Sequence, residues 1–530
     1  MAYSSTRDAS SALEAGEDGW RLSLPDEAAT ERLAVEVAAM VGAGDLVTLS
    51  GDLGAGKTTF ARALIRHIAG EPDLEVPSPT FTLMQSYDGP AFQVVHVDLY
   101  RIEKPNELAE LGWEEAGENA LVLVEWAERA GELLLADRLD ISFYVDSAKG
   151  AVHRNVVLKG YGAFGPRLAR ARAIHDLMLA AGWEDAQRTH LFGDASSRLY
   201  ERLIRPDGRS AVLMFSPPAP SGPAVRYGKP YGVIARLSRN IDAFLAVDRA
   251  LRERGLSAPE ILACDRNAGL ALLEDLGSEP FVDAEGPIAE RYAEAVALLA
   301  RLHGLSLPDT LPLGSDGSYK IPPYDLDAML IEVELLLEWY APHIGRLALA
   351  ASTRSAFAGL WKAAIGELAA ATPTPTWTLR DYHSPNLIWL AGRQGLARVG
   401  LIDFQDCVMG SPAYDLAALL QDARVTVPDA LELRLLGQYA QLRRRGDADF
   451  DMAAFARAYA IAGAQRATKI LGLFTRLDRR DRKPQYLAHL PRVGCYLAKG
   501  LGHPILSELK VWYESNVPQA VVPEAAAPPA

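Results

Sequence analysis

The chain has 530 residues, more than one hydrophobic core usually organises, which predicts two or three domains. Hydrophobic residues make up 49% and charged residues 23%, the proportions of ordinary globular domains, so general disorder is excluded. A formal net charge of −14 argues against a strongly basic nucleic-acid binder, and no stretch approaches the ~20 consecutive apolar residues of a membrane helix.

Three cysteines, Cys264, Cys407 and Cys495, lie far apart with neither a CxxC pair nor a disulfide spacing, which places the chain in a reducing cytoplasm. Residues 1–19 read as a disordered leader. From residue 20 to about 163, strand-like apolar runs (46–49, 81–84, 94–97, 121–124 and 139–145) alternate with helical ones, the pattern of an α/β domain. The turn-rich segment 160–166, Gly-Tyr-Gly-Ala-Phe-Gly-Pro, reads as a domain boundary. A second domain is expected over 164–515. It opens with a helix at 167–181, has strands near 200–203 and 211–215 and a long loop over 217–232, and turns mostly helical from 325 onward. Residues 516–530, rich in Pro, Ala and Val, read as a disordered tail.

Gly51-Asp-Leu-Gly54-Ala55-Gly56-Lys57-Thr58 fits GxxxxGK[ST] between a strand-like run and the helical run that begins at Thr59. The glycines let backbone N–H groups curl around phosphates, Lys57 reaches the β/γ oxygens of ATP, and Thr58 offers a hydroxyl to Mg²⁺. Two apolar strands end in carboxylates, Asp98 and Glu125. In a parallel sheet both lie beside this loop, Asp98 for the Mg²⁺ site and Glu125 for positioning the attacking water. Together with Ser78-Pro-Thr80-Phe81, His96-Val-Asp-Leu-Tyr-Arg101 and Val124-Glu-Trp126, the loop resembles the TsaE-type ATPases of bacterial tRNA threonylcarbamoyladenosine synthesis. The resemblance implies Thr80 as a switch-like threonine near the γ-phosphate, Asp98 as the magnesium carboxylate, Glu125 and Trp126 at the nucleotide, and work in a complex with transferase subunits.

Arg380-Asp381-Tyr-His-Ser-Pro-Asn386 has the D-x₄-N spacing of a kinase catalytic loop, and Asp403 follows two strand-like runs joined by a turn at 392–395. That hairpin sets Asn386 opposite Asp403 to hold Mg²⁺, while Asp381 faces an acceptor hydroxyl. Asp415 reads as a structural tie of the catalytic loop, His383 as a brace and His303 as a core residue. Asp406 stays open between support of the metal site and a helix cap. In the smaller lobe the 270–277 stretch, with Glu274 and Leu276, reads as a strand and hinge whose backbone meets adenine. Ser196, Ser197 and Arg198 sit where a phosphate-covering loop belongs. The strand expected to carry a kinase lysine has Met214 instead, so either phosphate charge falls to Arg198 or Lys229, or the lobe binds ATP weakly.

The order of these segments is similar to the aminoglycoside phosphotransferase superfamily, and Leu273-Glu-Asp-Leu-Gly277, Asp403-Phe-Gln-Asp406 and Gln465-Arg-Ala-Thr-Lys-Ile-Leu-Gly472 narrow it to AmgK-type cell-wall sugar kinases. Such kinases phosphorylate the anomeric hydroxyl of N-acetylmuramate and N-acetylglucosamine in peptidoglycan recycling. Arg466 and Lys469 stay open between an anionic-sugar contact and a solvated basic face. The expected architecture is an α/β P-loop NTPase domain followed by a two-lobed α+β protein-kinase-like phosphotransferase domain. Alternatives to the bifunctional enzyme are a nucleotide-controlled assembly module in the first domain and, in the second, a degenerate kinase scaffold or a kinase of aminoglycosides or amino alcohols.

Overall fold

The computed structural model describes residues 19–102, 117–131, 134–191, 198–219, 222–314 and 317–521. The expected leader therefore lies outside the described residues except for Gly19. Two compact units divide the chain, Met1–Glu184 and Asp185–Ala530.

In the first unit, β1 (Trp20–Leu24), α1 (Glu27–Ala38), β2 (Leu46–Ser50), α2 (Lys57–Ala69), β3 (Met84–Tyr87), β4 (Gln93–Asp98), β5 (Ala120–Glu125), β6 (Arg138–Val145), β7 (Arg154–Tyr161) and α3 (Phe164–Ala181) follow in order. The strands form a seven-stranded sheet, β1-β7-β6-β2-β5-β4-β3. Strand β2 lies parallel to β5 and β6, and β5 parallel to β4, so the C-terminal ends of β2, β4 and β5 share one edge. The fully buried runs in β4 and β5 are what a sheet covered on both faces demands. One face packs on Leu33, Val37, Phe60 and Leu64 of α1 and α2. The other face buries Val95, Val97, Val122 and Val124.

Two expectations need correction here. The strand expected at 81–84 begins only at Met84; Leu83 has φ +60° and Phe81 is 81% exposed, because its ring lies under the Arg101 guanidinium, 4.0 Å away, instead of in the core. The boundary expected at 163/164 falls at 184/185. Phe164 and Leu168 of α3 share the buried core of Val156 and Leu158 on β7, and Arg167 donates to Asp45 at 2.7 Å. The Gly-rich segment is a tight corner: a Cβ on Gly160 would stand 2.6 Å from the Phe164 carbonyl oxygen.

The second unit begins with β8 (Gln187–Leu191), β9 (Leu199–Ile204) and β10 (Ser210–Phe215), then α4 (Ile241–Glu253), β11 (Ile261–Asp265) and β12 (Leu270–Glu274). These five strands form an antiparallel sheet, β11-β12-β10-β9-β8. The 217–232 stretch holds a short hairpin, Ala224–Arg226 with Lys229–Pro230. A helical lobe follows, with α5 (Ala289–Leu302), α6 (Leu326–Val333), α7 (Ala351–Ala370), α8 (Pro412–Leu420), α9 (Asp429–Gly446), α10 (Met452–Asp481), α11 (Leu490–Leu501) and α12 (Ser507–Asn516). Between α7 and α8 lie two small antiparallel pairs, Thr376–Thr378 with Val408–Gly410 and Leu387–Trp389 with Val399–Leu401.

Helix α10 spans 30 residues, capped by Asp451, whose carboxylate accepts from the N–H groups of Ala453 and Ala454. It passes so close to the chain at 335–336 that a Cβ on Gly472 would stand 2.2 Å from the Leu335 carbonyl carbon. The tail expected to be disordered from 516 is ordered through 521: Val517 and Ala520 are fully buried, and the Tyr340 hydroxyl donates to Gln519 O at 3.1 Å. Apolar side chains at a Pro-rich terminus found a helical surface to cover.

Candidate active sites

At the end of β2 the chain turns through Gly51 (φ +130°), Gly54 (φ +77°) and Gly56 (φ +111°) into α2. Side chains rarely adopt such backbone, and at Gly51 a Cβ would stand 2.4 Å from Phe143 O. Ala55 is buried, and Arg154 on β7 clamps the loop by donating to Ala55 O at 2.9 Å and Gly54 O at 3.2 Å. Lys57, itself buried, donates to Gly51 O at 2.6 Å and Asp52 O at 3.0 Å and lies 3.7 Å over the Trp126 ring. Burial holds its ammonium below the usual lysine range, against the pull of Glu125, Glu128, Asp98 and Asp52. Thr58 and Thr59 stand in the first turn of α2, both half-buried.

The parallel register brings Asp98 and Glu125 side by side, and their partners differ. Glu125 accepts from the Thr58 hydroxyl at 2.9 Å through one oxygen, and its other oxygen lies 3.0 Å from His96 Nε2. Asp98 accepts from Ser78 and Thr80 hydroxyls, both at 2.7 Å, and from Tyr100 N–H at 2.9 Å. Trp126 adopts φ +60°, which turns its ring toward Lys57. Sequence reading missed Arg154, since a residue reaching in from a distant antiparallel strand leaves no local pattern. It quoted His96 within a motif but gave it no role, because the residue is concealed inside an apolar run.

In the second unit, Asp415 at the start of α8 accepts from Leu379 N–H (2.6 Å) and Arg380 N–H (2.8 Å), fastening the loop that carries Asp381, as expected of it. Asn386 donates through Nδ2 to Asp381 O at 2.9 Å and to Asp403 Oδ2 at 3.4 Å. Asp403, in a left-handed conformation (φ +58°), also accepts from Gln405 Nε2 at 2.7 Å. Burial raises the Asp403 carboxyl, and the nearby Asp381 charge adds to this. Burial also works to raise Asp381, but Lys469, His383, Arg380 and Arg466 outweigh it, and Asp381 is held below the usual carboxylate range.

A buried charge network backs this loop. Glu332 on α6 accepts from Arg380, from Tyr324 OH (2.5 Å), from Lys469 Nζ (2.9 Å) and from Gln465 Nε2 (3.1 Å). Lys469 is thus no part of a solvated basic face, and Arg466 is buried with Nη1 3.3 Å from Gln421 O. His303 sits in the core with Nδ1 3.0 Å from Tyr439 OH, and burial pushes it down to about 3. His383 is buried within the loop from Asp381 to Asn386. Asp406 accepts from Ser238 N–H at 2.6 Å, which ties down the segment before α4.

Met214 on β10 is fully buried. Arg198 lies 3.5 Å from Asp403 Oδ1 and donates to Ser238 Oγ at 2.8 Å. Ser196 and Ser197 lie outside the described residues. Glu274 closes β12; its N–H is taken by Glu260 O at 2.8 Å and its carboxylate meets Arg393 at 2.5 Å, so its N–H is not available to a nucleotide. A Cβ on Gly400 would stand 3.3 Å from Leu276 Cδ1, which shows the hinge side chain covering the strand of the catalytic hairpin.

Fold and loop geometry define the class: a P-loop nucleotide-binding unit joined to a kinase-type phosphotransferase. Residues 24–156 match the family described as threonylcarbamoyl adenosine biosynthesis protein TsaE, and residues 189–453 match the phosphotransferase enzyme family. The chain is 39% identical to the N-acetylmuramate/N-acetylglucosamine kinase of Caulobacter vibrioides over 352 residues, covering 64% of this chain and 94% of that protein. With the Pseudomonas putida protein of the same description it shares 30% over 351 residues, 63% of this chain and 91% of that one. With the tRNA threonylcarbamoyladenosine biosynthesis protein TsaE of Rickettsia felis it shares 43% over 124 residues, 23% of this chain and 72% of that one. The chain belongs to both families, a TsaE unit fused to a phosphotransferase homologous to N-acetylmuramate/N-acetylglucosamine kinases, and both units are of ATP-using kinds. Among the described residues no helix is long and apolar enough to cross a membrane.

Proposed function

We propose that the second unit transfers the terminal phosphoryl group of ATP to the anomeric hydroxyl of N-acetylmuramate or N-acetylglucosamine. The first unit then serves as the ATP-hydrolysing subunit of a tRNA threonylcarbamoyladenosine assembly with transferase subunits, in the cytoplasm. The observation that carries the kinase reading is the Asn386 amide bonded to Asp381 O and facing Asp403. Anchoring Asn386 by its N–H leaves its carbonyl oxygen for a cation, and Asp403, pushed up by burial and by Asp381, gains from one. Both donors are hard oxygens, which fits Mg²⁺ held jointly by protein and phosphates. That ion, when bound with ATP, neutralises charge on the phosphates. Asp381, held ionised, orients the sugar hydroxyl and takes its proton as the new O–P bond forms and the bond to the departing ADP breaks.

In the first unit, Lys57 exchanges the carbonyls of Gly51 and Asp52 for phosphate oxygens. The Thr58 hydroxyl on Glu125 supports giving the Mg²⁺ position to Thr58 and Glu125. Asp98, bonded to Ser78 and Thr80, then holds the switch-like threonine. This moves the magnesium role read from sequence for Asp98 to Glu125, because the metal-binding hydroxyl of a P-loop shares its ion with the carboxylate it touches. The deciding experiment incubates the full chain and ATP with N-acetylmuramate, N-acetylglucosamine, aminoglycosides and amino alcohols, and identifies the product by mass spectrometry. A 1-phosphosugar is expected; phosphorylation of an aminoglycoside or an amino alcohol alone would overturn the assignment.

A further inference from the structure

A kinase-type site needs a cation on the phosphates from the smaller lobe, and β10 does not supply it. Met214, the penultimate residue of that strand, has no exposed surface, and no charge can be placed there. Register shows what stands beside it. Met214 pairs with Tyr200 of β9, and Phe215 with Leu199. Side chains two residues apart share a sheet face, so Arg198, one step beyond the paired segment, extends the line of Met214 and Tyr200 along the same face. Its guanidinium is mostly covered, with 13% of the side chain exposed, and lies 3.5 Å from Asp403 Oδ1. The other amine donates to Ser238 Oγ, and the Ser238 N–H is fixed by Asp406.

The geometry points to Arg198, whose guanidinium meets Asp403 and Ser238, as the residue that takes over the phosphate contact of the absent β10 lysine. This inference rests on the phosphotransferase reading and deepens it. An arginine suits the exchange because its planar fork holds a side-chain hydroxyl and an anionic oxygen together, and it binds phosphate bidentately. On Asp403 the guanidinium covers a carboxylate that the reaction needs for a metal; on the β-phosphate it leaves that carboxylate open. Ser238 and Asp406 set the position from which the guanidinium swings. The recognised chemistry is a nucleoside diphosphate or triphosphate, with little claim on the monophosphate.

The test uses the full chain carrying Lys57→Ala, which silences the first phosphate site, titrated calorimetrically with ATP, ADP and AMP, with and without Arg198→Gln or Arg198→Lys. Loss of one charge-assisted contact corresponds to about 10- to 100-fold weaker binding. Arg198→Gln is expected to weaken ATP and ADP by that factor while AMP changes less than about twofold, and Arg198→Lys to recover part of the loss. Unchanged ADP affinity, or equal weakening of AMP and ADP, overturns the assignment of Arg198 and leaves the kinase reading intact. No ATP binding by the Lys57→Ala chain with Arg198 present would instead remove the kinase reading itself.

Discussion

Glu332→Gln tests the buried network behind the catalytic loop. Glu332 and Arg380 are both essentially unexposed, and Lys469 has only 13% of its side chain exposed. One carboxylate therefore holds two cations, a tyrosine hydroxyl and a glutamine amide. Glutamine keeps one acceptor oxygen and turns an NH₂ toward groups that are already donors. Breaking a buried pair by removing one partner costs about 3–5 kcal/mol, and two stranded cations place this variant at the upper end. Arg380 adjoins Asp381, so the catalytic loop should loosen and kcat fall about 10²-fold, the scale of a 1 Å misplacement. The Glu332 carboxyl is held below its usual range, burial acting to raise it and Lys469 and Arg380 prevailing. Its contribution is thus fully present above the unfolded carboxylate pKa and lost as pH falls through the folded value. Because the chain has two units, stability should be read from amide hydrogen exchange in α6 and α10 across a urea series, not from one unfolding curve. Lys469→Met alone and combined with Glu332→Gln completes a cycle in which the double variant should lose about 1–3 kcal/mol less than the sum of the singles. Additive losses, or exchange protection unchanged in Glu332→Gln, would refute the network as an energetic unit.

Asp381→Asn should lower kcat for sugar phosphorylation by about 10²- to 10⁴-fold, the range for loss of a general base. Asp403→Asn should instead raise the Mg²⁺ requirement, which a magnesium titration of steady-state rates separates; rescue of Asp381→Asn by added Mg²⁺ would reverse the assignment. Asp248 on α4 is wholly buried, with no hydrogen-bond partner on either oxygen among the described residues, and burial pushes it up to about 8 against Arg252 and Arg249. A raised carboxyl favours the folded state below the unfolded pKa and loses that advantage as pH rises through the folded value. Asp248→Asn should therefore protect α4 from alkaline destabilisation, by at least about 2 kcal/mol at pH 9, while exchange rates of the two forms converge toward pH 4; parallel pH curves would contradict this. Lys57→Ala should abolish ATP hydrolysis by the first unit and leave sugar phosphorylation within about twofold, since each phosphate site is built from the residues of its own unit and sites that share no partners act independently; joint loss of both activities would show coupled units.

The chain itself announced both phosphate sites because their chemistry is local. The run from Gly51 to Thr58 needs glycines at left-handed backbone positions, and the span from Asp381 to Asn386 is one loop whose spacing survives folding. Strand periodicity was legible for β2, β4, β5 and β10, where apolar runs are long enough to mark a sheet. Tertiary structure decided what depends on contacts across the sequence. Phe164 and Leu168 found their apolar partners on β7, which moved the domain boundary to 184/185. Val517 and Ala520 became buried because helices assembled from distant segments offered them a surface. Thr58 chose Glu125 only when β5 was laid beside β2. Lys469 and Arg466, one turn apart on a helix whose sequence gives no sign of what packs on it, became buried because Glu332 and Gln421 wait there. A side chain's type is written in the sequence, but its burial and partner are properties of the packed whole.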